Sequence, residues 1–297
     1  PEPATDPCDY ESSEQISEDL TVSFPVDIYD QPMKQRMSSE FISQLVALLI
    51  AVIVVHAVYV GAIRPTADAQ IRQEMAQQAA GEDFVPERSF AVVIRDFEQE
   101  ACFILLIWAL AIMGYKGKRT IDEQGLLDRR LLDIPDGTSV LPEDAREYSR
   151  SLEALPDKEQ DYLLPRTLLG ALQRFATTGS IQAVSDTIKE NCEIEADRLD
   201  SELSMVRYIA WAIPSIGFIG TVRGIGEALG QAYKAVEGDI SGVTVSLGVA
   251  FNSTFVALVL SIIIMFCLHQ LQLSQERLVL DCQRYADKRL MRHLVSP

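Results

Sequence analysis

Hydroxyl and amide side chains stand in two apolar stretches of this chain, where an unpartnered polar group is costly. Thr221 lies in one stretch, and Asn252, Ser253 and Thr254 lie in the other. These side chains can hydrogen-bond to water or to a carboxylate, but they do not hold and release a proton near neutral pH. The inner parts of both stretches lack Asp and Glu. If protons cross here, a carboxylate has to come from another chain.

Glycine and proline interrupt the apolar stretch that holds Thr221. Gly220 and Gly224 flatten one side of a helix, so that another backbone can approach it closely. Pro214 has no backbone N–H and leaves the carbonyl of an earlier residue to be satisfied by another group. A helix that faces only lipid has no use for these residues. The stretch therefore predicts a helix that faces protein or water.

Charged and ionisable residues also occur within the apolar stretches. Arg223 and Glu227 are four positions apart, a spacing that brings two side chains together on a helix. The pattern favours a structural ion pair, and a role of Arg223 in the outer ion path is the alternative. His56 stands alone in a third stretch, where a histidine more often bonds a neighbouring helix than it relays protons.

Four apolar segments set the fold class, and hydrophobic residues make up 48% of the 297 residues. At about 1.5 Å per residue, three of these segments cross a bilayer core of roughly 30 Å directly. The remaining one, at 101–115, is short for a span. We predict an all-α, polytopic membrane protein with four transmembrane helices and long cytoplasmic helical extensions. The predicted spans are residues 41–63, 99–115, 206–230 and 245–268.

Lysine and arginine residues beside the spans orient the chain. They place both termini and residues 116–205 in the cytoplasm, and residues 64–98 and the short loop 231–244 in the periplasm. One long helix is predicted from about Ser180 through the third span, because proline and glycine are missing from this stretch up to Pro214. An apolar stripe continues the fourth span into a C-terminal helix within residues 269–297.

Charge and cysteine content argue against several classes of function. The net charge is −17, which argues against a nucleic-acid surface. The acidic residues 1–40 are predicted to be a disordered tail and not a signal peptide. The five cysteines show no paired spacing, so neither a disulfide frame nor a metal site is expected. The motifs of an intramembrane enzyme are missing from the sequence, and we expect no catalytic residues and no cofactor besides a translocated ion.

Two segments, in this order, resemble the MotA/TolQ/ExbB proton-channel family. The first is Gly217-Phe-Ile-Gly-Thr-Val-Arg-Gly-Ile225, which is similar to the family's glycine-rich segment after a proline. The second is Ala250-Phe-Asn-Ser-Thr-Phe-Val-Ala-Leu258, which is similar to the A-x-x-x-T-x-x-x-L run in its last span. The resemblance covers about residues 140–285. Arg223 departs from the family, in which an apolar or aromatic residue often stands at this position.

The resemblance implies a subunit of an ion-driven motor in the bacterial inner membrane. A pentamer of this chain would surround two single-span partner helices of the MotB/TolR/ExbD type, whose membrane aspartate carries the ion, expected to be H⁺. Carried over by position, the two threonines that line the ion path are Thr221 and Thr254. A proline and three glycines form the packing or partner-facing surface: Pro214, Gly217, Gly220 and Gly224. Ser253 also suits a packing stripe of small residues, and Asn252 a contact with water or a neighbouring subunit.

Two alternatives to this interpretation stay open. A passive multi-span membrane scaffold would also use glycine stripes and long helices, although it does not need hydroxyls on both inner helices. A flagellar-type stator subunit shares the four spans and the long cytoplasmic segment. The Gly-Thr-Val segment is more typical of the TolQ and ExbB branch, so we favour a non-flagellar motor that performs work in the envelope.

Overall fold

The computed structural model of the chain describes residues 33–79, 89–135 and 137–295. Of the described residues, 85% are helical and none forms a strand. Four helices are long and apolar enough to cross a membrane. The predicted fold class is therefore confirmed: the protein is an all-α membrane protein with four spans.

The helices follow one another with short connections. Their bounds are α1 Met33–Val58, a π-helical turn Tyr59–Ile63, α2 Arg64–Ala79, α3 Phe90–Val93, α4 Phe97–Leu127, α5 Ala145–Glu153, α6 Asp157–Gln160, α7 Leu163–Thr178, α8 Ile181–Glu202, α9 Ser204–Gly230, α10 Ala232–Val236 and α11 Ser241–Arg289. A 3-10 turn at Met291–His293 follows α11.

The chain divides into two compact units, residues 1–43 and residues 44–297. The described part of the first unit is the beginning of α1, whose first residue is Met33. Residues 33–40 are therefore helical, although the sequence predicted a disordered tail over 1–40. The rest of that predicted tail lies outside the described residues. The second unit contains the packed helices of the membrane part and of a further region around the second half of α11.

The membrane part of this unit is built on the pairing of α9 with α11, and α4 packs against both. Apolar side chains from the three helices form one core, in which Ile209, Ile213 and Ile264 are completely buried. Small residues on α11, such as Ala250 and Ala257, are also fully buried. They face the glycines of α9, which is why the two helices lie close together.

The helix predicted from about Ser180 through the third span is present as one 50-residue helical segment, Ile181–Gly230. It has a one-residue interruption at Leu203, which separates α8 from α9 but keeps right-handed helical backbone angles. Arg207 stabilises the interruption, since its Nη2 donates to the carbonyl of Asp200 at 2.7 Å and its Nη1 to the Asp200 carboxylate at 2.7 Å. A side chain thus satisfies a carbonyl at the end of α8.

The last helix, α11, extends far beyond the membrane core, as predicted. It has 49 residues, which correspond to a length of about 73 Å. Its second half packs against α7 and α8. We call this region, residues 128–202 and 271–294, the head.

The head has its own apolar core, centred on α7. Leu168, Leu172 and Phe175 are completely buried there, together with Val184 of α8 and Cys282 of α11. Local sequence sets the turn between α7 and α8. Gly179 adopts a left-handed conformation with φ of 61° after α7, and the Ser180 hydroxyl accepts a hydrogen bond from the Ala183 N–H at the start of α8.

Charged side chains of α4 connect it to the head. Lys116 Nζ lies 2.6 Å from Glu202 Oε2 of α8. Within α4, Arg119 Nε lies 3.0 Å from Glu123 Oε1, and the other oxygen of Glu123 accepts a hydrogen bond from the Leu163 N–H of α7 at 3.3 Å. Burial opposes ionisation of Glu202, but the hydrogen bond from Lys116 and the positive charges of Lys116, Arg198 and Arg119 together outweigh it, so the pKa of Glu202 lies below its ordinary value. At Glu123 burial dominates and raises the pKa. Each charged side chain is therefore stabilised by its partner, because a single charge buried to this extent would be unstable.

Candidate ion path between α9 and α11

Three glycines of α9 lie against α11, and two of them, Gly217 and Gly224, meet its backbone atoms. A Cβ added at Gly224 would stand 2.7 Å from the Ala250 nitrogen and 2.8 Å from the Ser246 carbonyl oxygen. One added at Gly217 would overlap the Ala257 Cβ, and Gly220 is equally confined. Only glycine permits the two helices to approach this closely. The close approach brings polar groups of α11 within hydrogen-bond distance of α9.

Pro214 lies inside α9, where the helix continues through it. Because proline has no N–H, the carbonyl of Ala210, one turn earlier, loses its helical partner. The hydroxyl of Ser261 on α11 donates to this carbonyl at 3.1 Å. A side chain of the neighbouring span therefore satisfies the carbonyl that Pro214 frees, and this bond connects α9 to α11.

Thr221 and Thr254 meet across the same interface, and their hydroxyl groups are in hydrogen-bond contact. Thr254 Oγ1 is 3.1 Å from the Gly217 carbonyl, and Thr221 Oγ1 is 3.0 Å from the Ala250 carbonyl. Each hydroxyl has one hydrogen to donate and two lone pairs to accept with. Both side chains are half-buried, so the pair can still accept hydrogen bonds from water or from a protonated acid on another chain.

The two neighbouring polar residues of α11 have different surroundings. Ser253 is almost completely buried and donates to the Val249 carbonyl at 2.9 Å. It also accepts from Gln99 Nε2 of α4 at 3.3 Å. Asn252 is half-buried, and its side chain has no hydrogen-bond partner among the residues that the structure describes. Ser253 is therefore bonded within the chain's own core, to α4 and to the preceding turn of α11.

Arg223 is held by carboxylates from two helices. Its Nη1 lies 2.8 Å from Glu227 Oε1, one turn away on α9. The Glu98 carboxylate on α4 receives Arg223 Nε at 2.7 Å and Nη2 at 2.9 Å, which is a bidentate pair. Asp96 stands 4.0 Å from the same guanidinium. The sequence predicted the Glu227 partner but not Glu98, which makes the larger number of bonds.

A second cluster of acidic and basic side chains joins the first and second spans. The Glu100 carboxylate of α4 is buried and lies 2.6 Å from His56 Nδ1 and 2.5 Å from Arg64 Nη2. His56 thus bonds a neighbouring helix, the more common role of a membrane histidine. The π-helical turn at Tyr59–Ile63 separates His56 from Arg64. A local widening of the helix at this point lets both side chains reach one carboxylate.

Sequence reasoning missed the acidic residues at the start of α4. Asp96, Glu98 and Glu100 precede the apolar run of the second span, and Glu98 was assigned to the periplasmic segment. Acidic residues in a helix's first turn are a common start signal, and this signal places the beginning of α4 here. It does not show that Glu98 reaches Arg223, which is 125 positions away in sequence.

Fold and geometry together define a class: a multi-pass α-helical membrane protein in which two glycine-packed spans enclose a pair of hydroxyls. Residues 159–284 form a domain of the MotA/TolQ/ExbB proton channel family, whose family model matches this range. The predicted family is therefore confirmed, over a somewhat shorter range than the expected 140–285. The domain contains α9, most of α11 and the larger part of the head, whereas α1 to α4 lie before it.

Comparison with curated proteins gave no match to this chain, and comparison with solved structures gave none either. The matched family is a proton channel family and not a family of enzymes. The chain is thus a multi-pass membrane protein with a proton-channel family domain.

Proposed function

We propose that this chain is the ring-forming subunit of a proton-driven motor in the bacterial inner membrane. Five copies surround two single-span partner helices and convert the proton motive force into rotation or mechanical work in the envelope. The observation that carries the proposal is the Thr221–Thr254 pair. Two hydroxyls from two spans meet within the family domain, and they lie where a partner helix can reach them because both are half-buried.

The ionisable groups nearest to this pair support the need for a partner. Between Arg207 and Arg223, α9 contains no ionisable side chain besides Tyr208, and residues 245–268 of α11 contain none besides Cys267. The carboxylate of Glu98 is bonded to Arg223. A proton carrier at the level of the threonines therefore comes from outside the chain, as an aspartate on the single span of a MotB/TolR/ExbD-like subunit.

The outer faces of α9 and α11 support an assembly within lipid. Large apolar side chains project from both helices, and each of the following is at least 60% exposed: Trp211, Phe218, Ile219, Phe251, Phe255, Ile262 and Phe266. In a membrane these side chains are covered by lipid or by other chains. A ring in which the hydroxyl pair faces inward leaves part of this surface for contacts between neighbouring copies and the remainder for lipid.

The mass of the solubilised complex tests the proposal. The chain would be co-expressed with a neighbouring gene that encodes one membrane span with an aspartate, and the complex weighed in detergent. Five 33.0 kDa chains contribute about 165 kDa, to which two partner copies add their mass. A monomer or dimer without a partner would refute the motor and indicate a passive scaffold.

Ion flux through the reconstituted complex provides the functional test. Vesicles that contain the complex should take up protons when a membrane potential is imposed, and replacement of the partner's aspartate by asparagine should abolish the uptake. The matched control for ion identity measures sodium uptake under the same imposed membrane potential. Equal flux with and without the partner's aspartate would contradict the proposed path.

A further inference from the structure

Three helices converge on Gly220. A Cβ added at this glycine would stand 2.5 Å from Ser253 Cβ and 2.6 Å from Ser253 Oγ on α11, and 3.1 Å from Glu98 Cγ on α4. Gln99, next to Glu98, places its Nε2 3.3 Å from Ser253 Oγ. We call Glu98, Gln99, Gly220 and Ser253 the polar junction. It contains a carboxylate, a carboxamide and a hydroxyl. These groups can come together because residue 220 is a glycine and has no side chain.

One atom of the polar junction lacks a partner. Gln99 is 0% exposed, and its Oε1 makes no hydrogen bond within the part of the chain that the structure describes. Ser253 cannot supply the bond, because its single hydrogen goes to the Val249 carbonyl. Buried carboxamide oxygens without a partner are rare in native proteins, and ordered water commonly satisfies them.

The chemistry of the junction selects the kind of ligand. Gln99 Oε1, the Ser253 lone pair that remains and the Glu98 carboxylate are all acceptors, so the ligand has to donate hydrogen bonds or carry positive charge. Asp96, Glu98 and Glu227 surround the one guanidinium of Arg223. The adjacent Glu100 is matched by Arg64, with His56 beside it. Arg95 also acts on Asp96, but it is itself paired with Asp68. Carboxylates therefore still outnumber guanidinium groups here, and this excess of negative charge favours a cationic ligand.

We propose that the polar junction binds a water molecule, or a hydronium ion when an ion passes, and that it is a stage of the ion path. The site lies beside Thr254, whose hydroxyl contacts Thr221, and it continues the path from the hydroxyl pair toward the ionised cluster at Arg223. The role in ion flux rests on the proposed motor function, whereas the binding of water at Gln99 does not. The site uses α4, which lies outside the matched family domain.

The first experiment is a cryo-electron microscopy map of the complex with its partner, at a resolution that shows ordered water. We expect density within hydrogen-bond distance of Gln99 Oε1 in the wild type and its loss in Gln99→Met, whose side chain has similar length but no polar atom. A junction without density in the wild type would overturn the proposal, and this result needs no variant to fold.

The second experiment measures proton uptake by vesicles that contain the complex. Gln99→Met and Ser253→Ala should each reduce uptake at least about tenfold, the kinetic effect expected from one lost hydrogen bond to the moving ion. The double variant should be no slower than the slower single variant, because both residues serve one bound water. Wild-type uptake in Gln99→Met would overturn the role in ion flux.

Gln275→Met is the matched control for this experiment. Gln275 is also buried, at 4% exposed, and its Nε2 also lacks a partner among the described residues, but it lies in the head part of α11. Its replacement should leave proton uptake unchanged, and an equal loss in the control would overturn the specific role of Gln99. If the wild-type complex shows no uptake at all, the proposed function fails, and the map alone then decides whether the junction binds water.

Discussion

Replacement of Gly224 by alanine tests the close packing of α9 on α11. The added Cβ would lie 2.8 Å from the Ala250 Cβ, 2.8 Å from the Ser246 carbonyl oxygen and 2.7 Å from the Ala250 nitrogen. Non-bonded carbons prefer a separation of about 3.5–4.0 Å. Since two of the three contacted atoms belong to the backbone of α11, no side chain can turn away, and the two helices have to separate by about 1 Å.

The magnitude follows from two opposing effects. Alanine in a helix interior is favoured over glycine by about 1 kcal/mol, whereas overpacking of a close contact costs about 1–3 kcal/mol. Gly226 provides the matched control on the same helix, because a Cβ there meets nothing within 4 Å. We therefore expect Gly226→Ala to be neutral or stabilising and Gly224→Ala to be less stable than Gly226→Ala by about 1–3 kcal/mol.

Thermal unfolding of the two variants in the same detergent, without the partner, is the measurement. The midpoint of Gly224→Ala should be lower than that of Gly226→Ala, by about 2–4 °C for each kcal/mol. A Gly224→Ala variant as stable as Gly226→Ala would refute the reasoning, because the helices could then not be in the contact that the structure shows.

Three further predictions concern the hydroxyl pair and the head. The double variant Thr221→Val and Thr254→Val should assemble normally but lose ion-driven work, and normal activity would remove both hydroxyls from the path. Glu202→Gln should lower the free energy of unfolding by about 2 kcal/mol at neutral pH, because it leaves Lys116 buried without an ionised partner. The pKa of Glu202 is depressed in the folded protein, so its stabilising effect is present above the ordinary pKa of a glutamate and is lost as the pH falls through the pKa of the folded state. The difference in unfolding free energy between wild type and Glu202→Gln should therefore disappear in acid. A difference that persists at low pH would contradict this prediction. Ser180→Ala removes the hydroxyl that caps α8 and should cost about 1 kcal/mol, which chemical unfolding of the wild type and the variant can measure.

The sequence by itself determined the class of protein and the family of its domain at residues 159–284. Apolar runs long enough to cross a bilayer specify membrane helices wherever they occur, because the hydrocarbon core leaves the backbone few other ways to satisfy its hydrogen bonds. The two family segments around Thr221 and Thr254 were recognisable because their spacing is local. Pro214 likewise predicted an unsatisfied carbonyl one turn earlier, because proline has no backbone N–H in any structure.

Tertiary structure decided which groups meet across helices. Ser261 satisfies the carbonyl that Pro214 releases, and Glu98 and Gln99 of α4 reach Arg223 and Ser253. These partners are separated by 51, 125 and 154 positions, and no local spacing encodes their distance. Which residues lie at the same depth depends on the helix register, and this register is set by side-chain packing such as the contact of Gly220 and Gly224 with α11. The sequence shows that polar groups in the membrane need partners, and packing in three dimensions determines which partners they find.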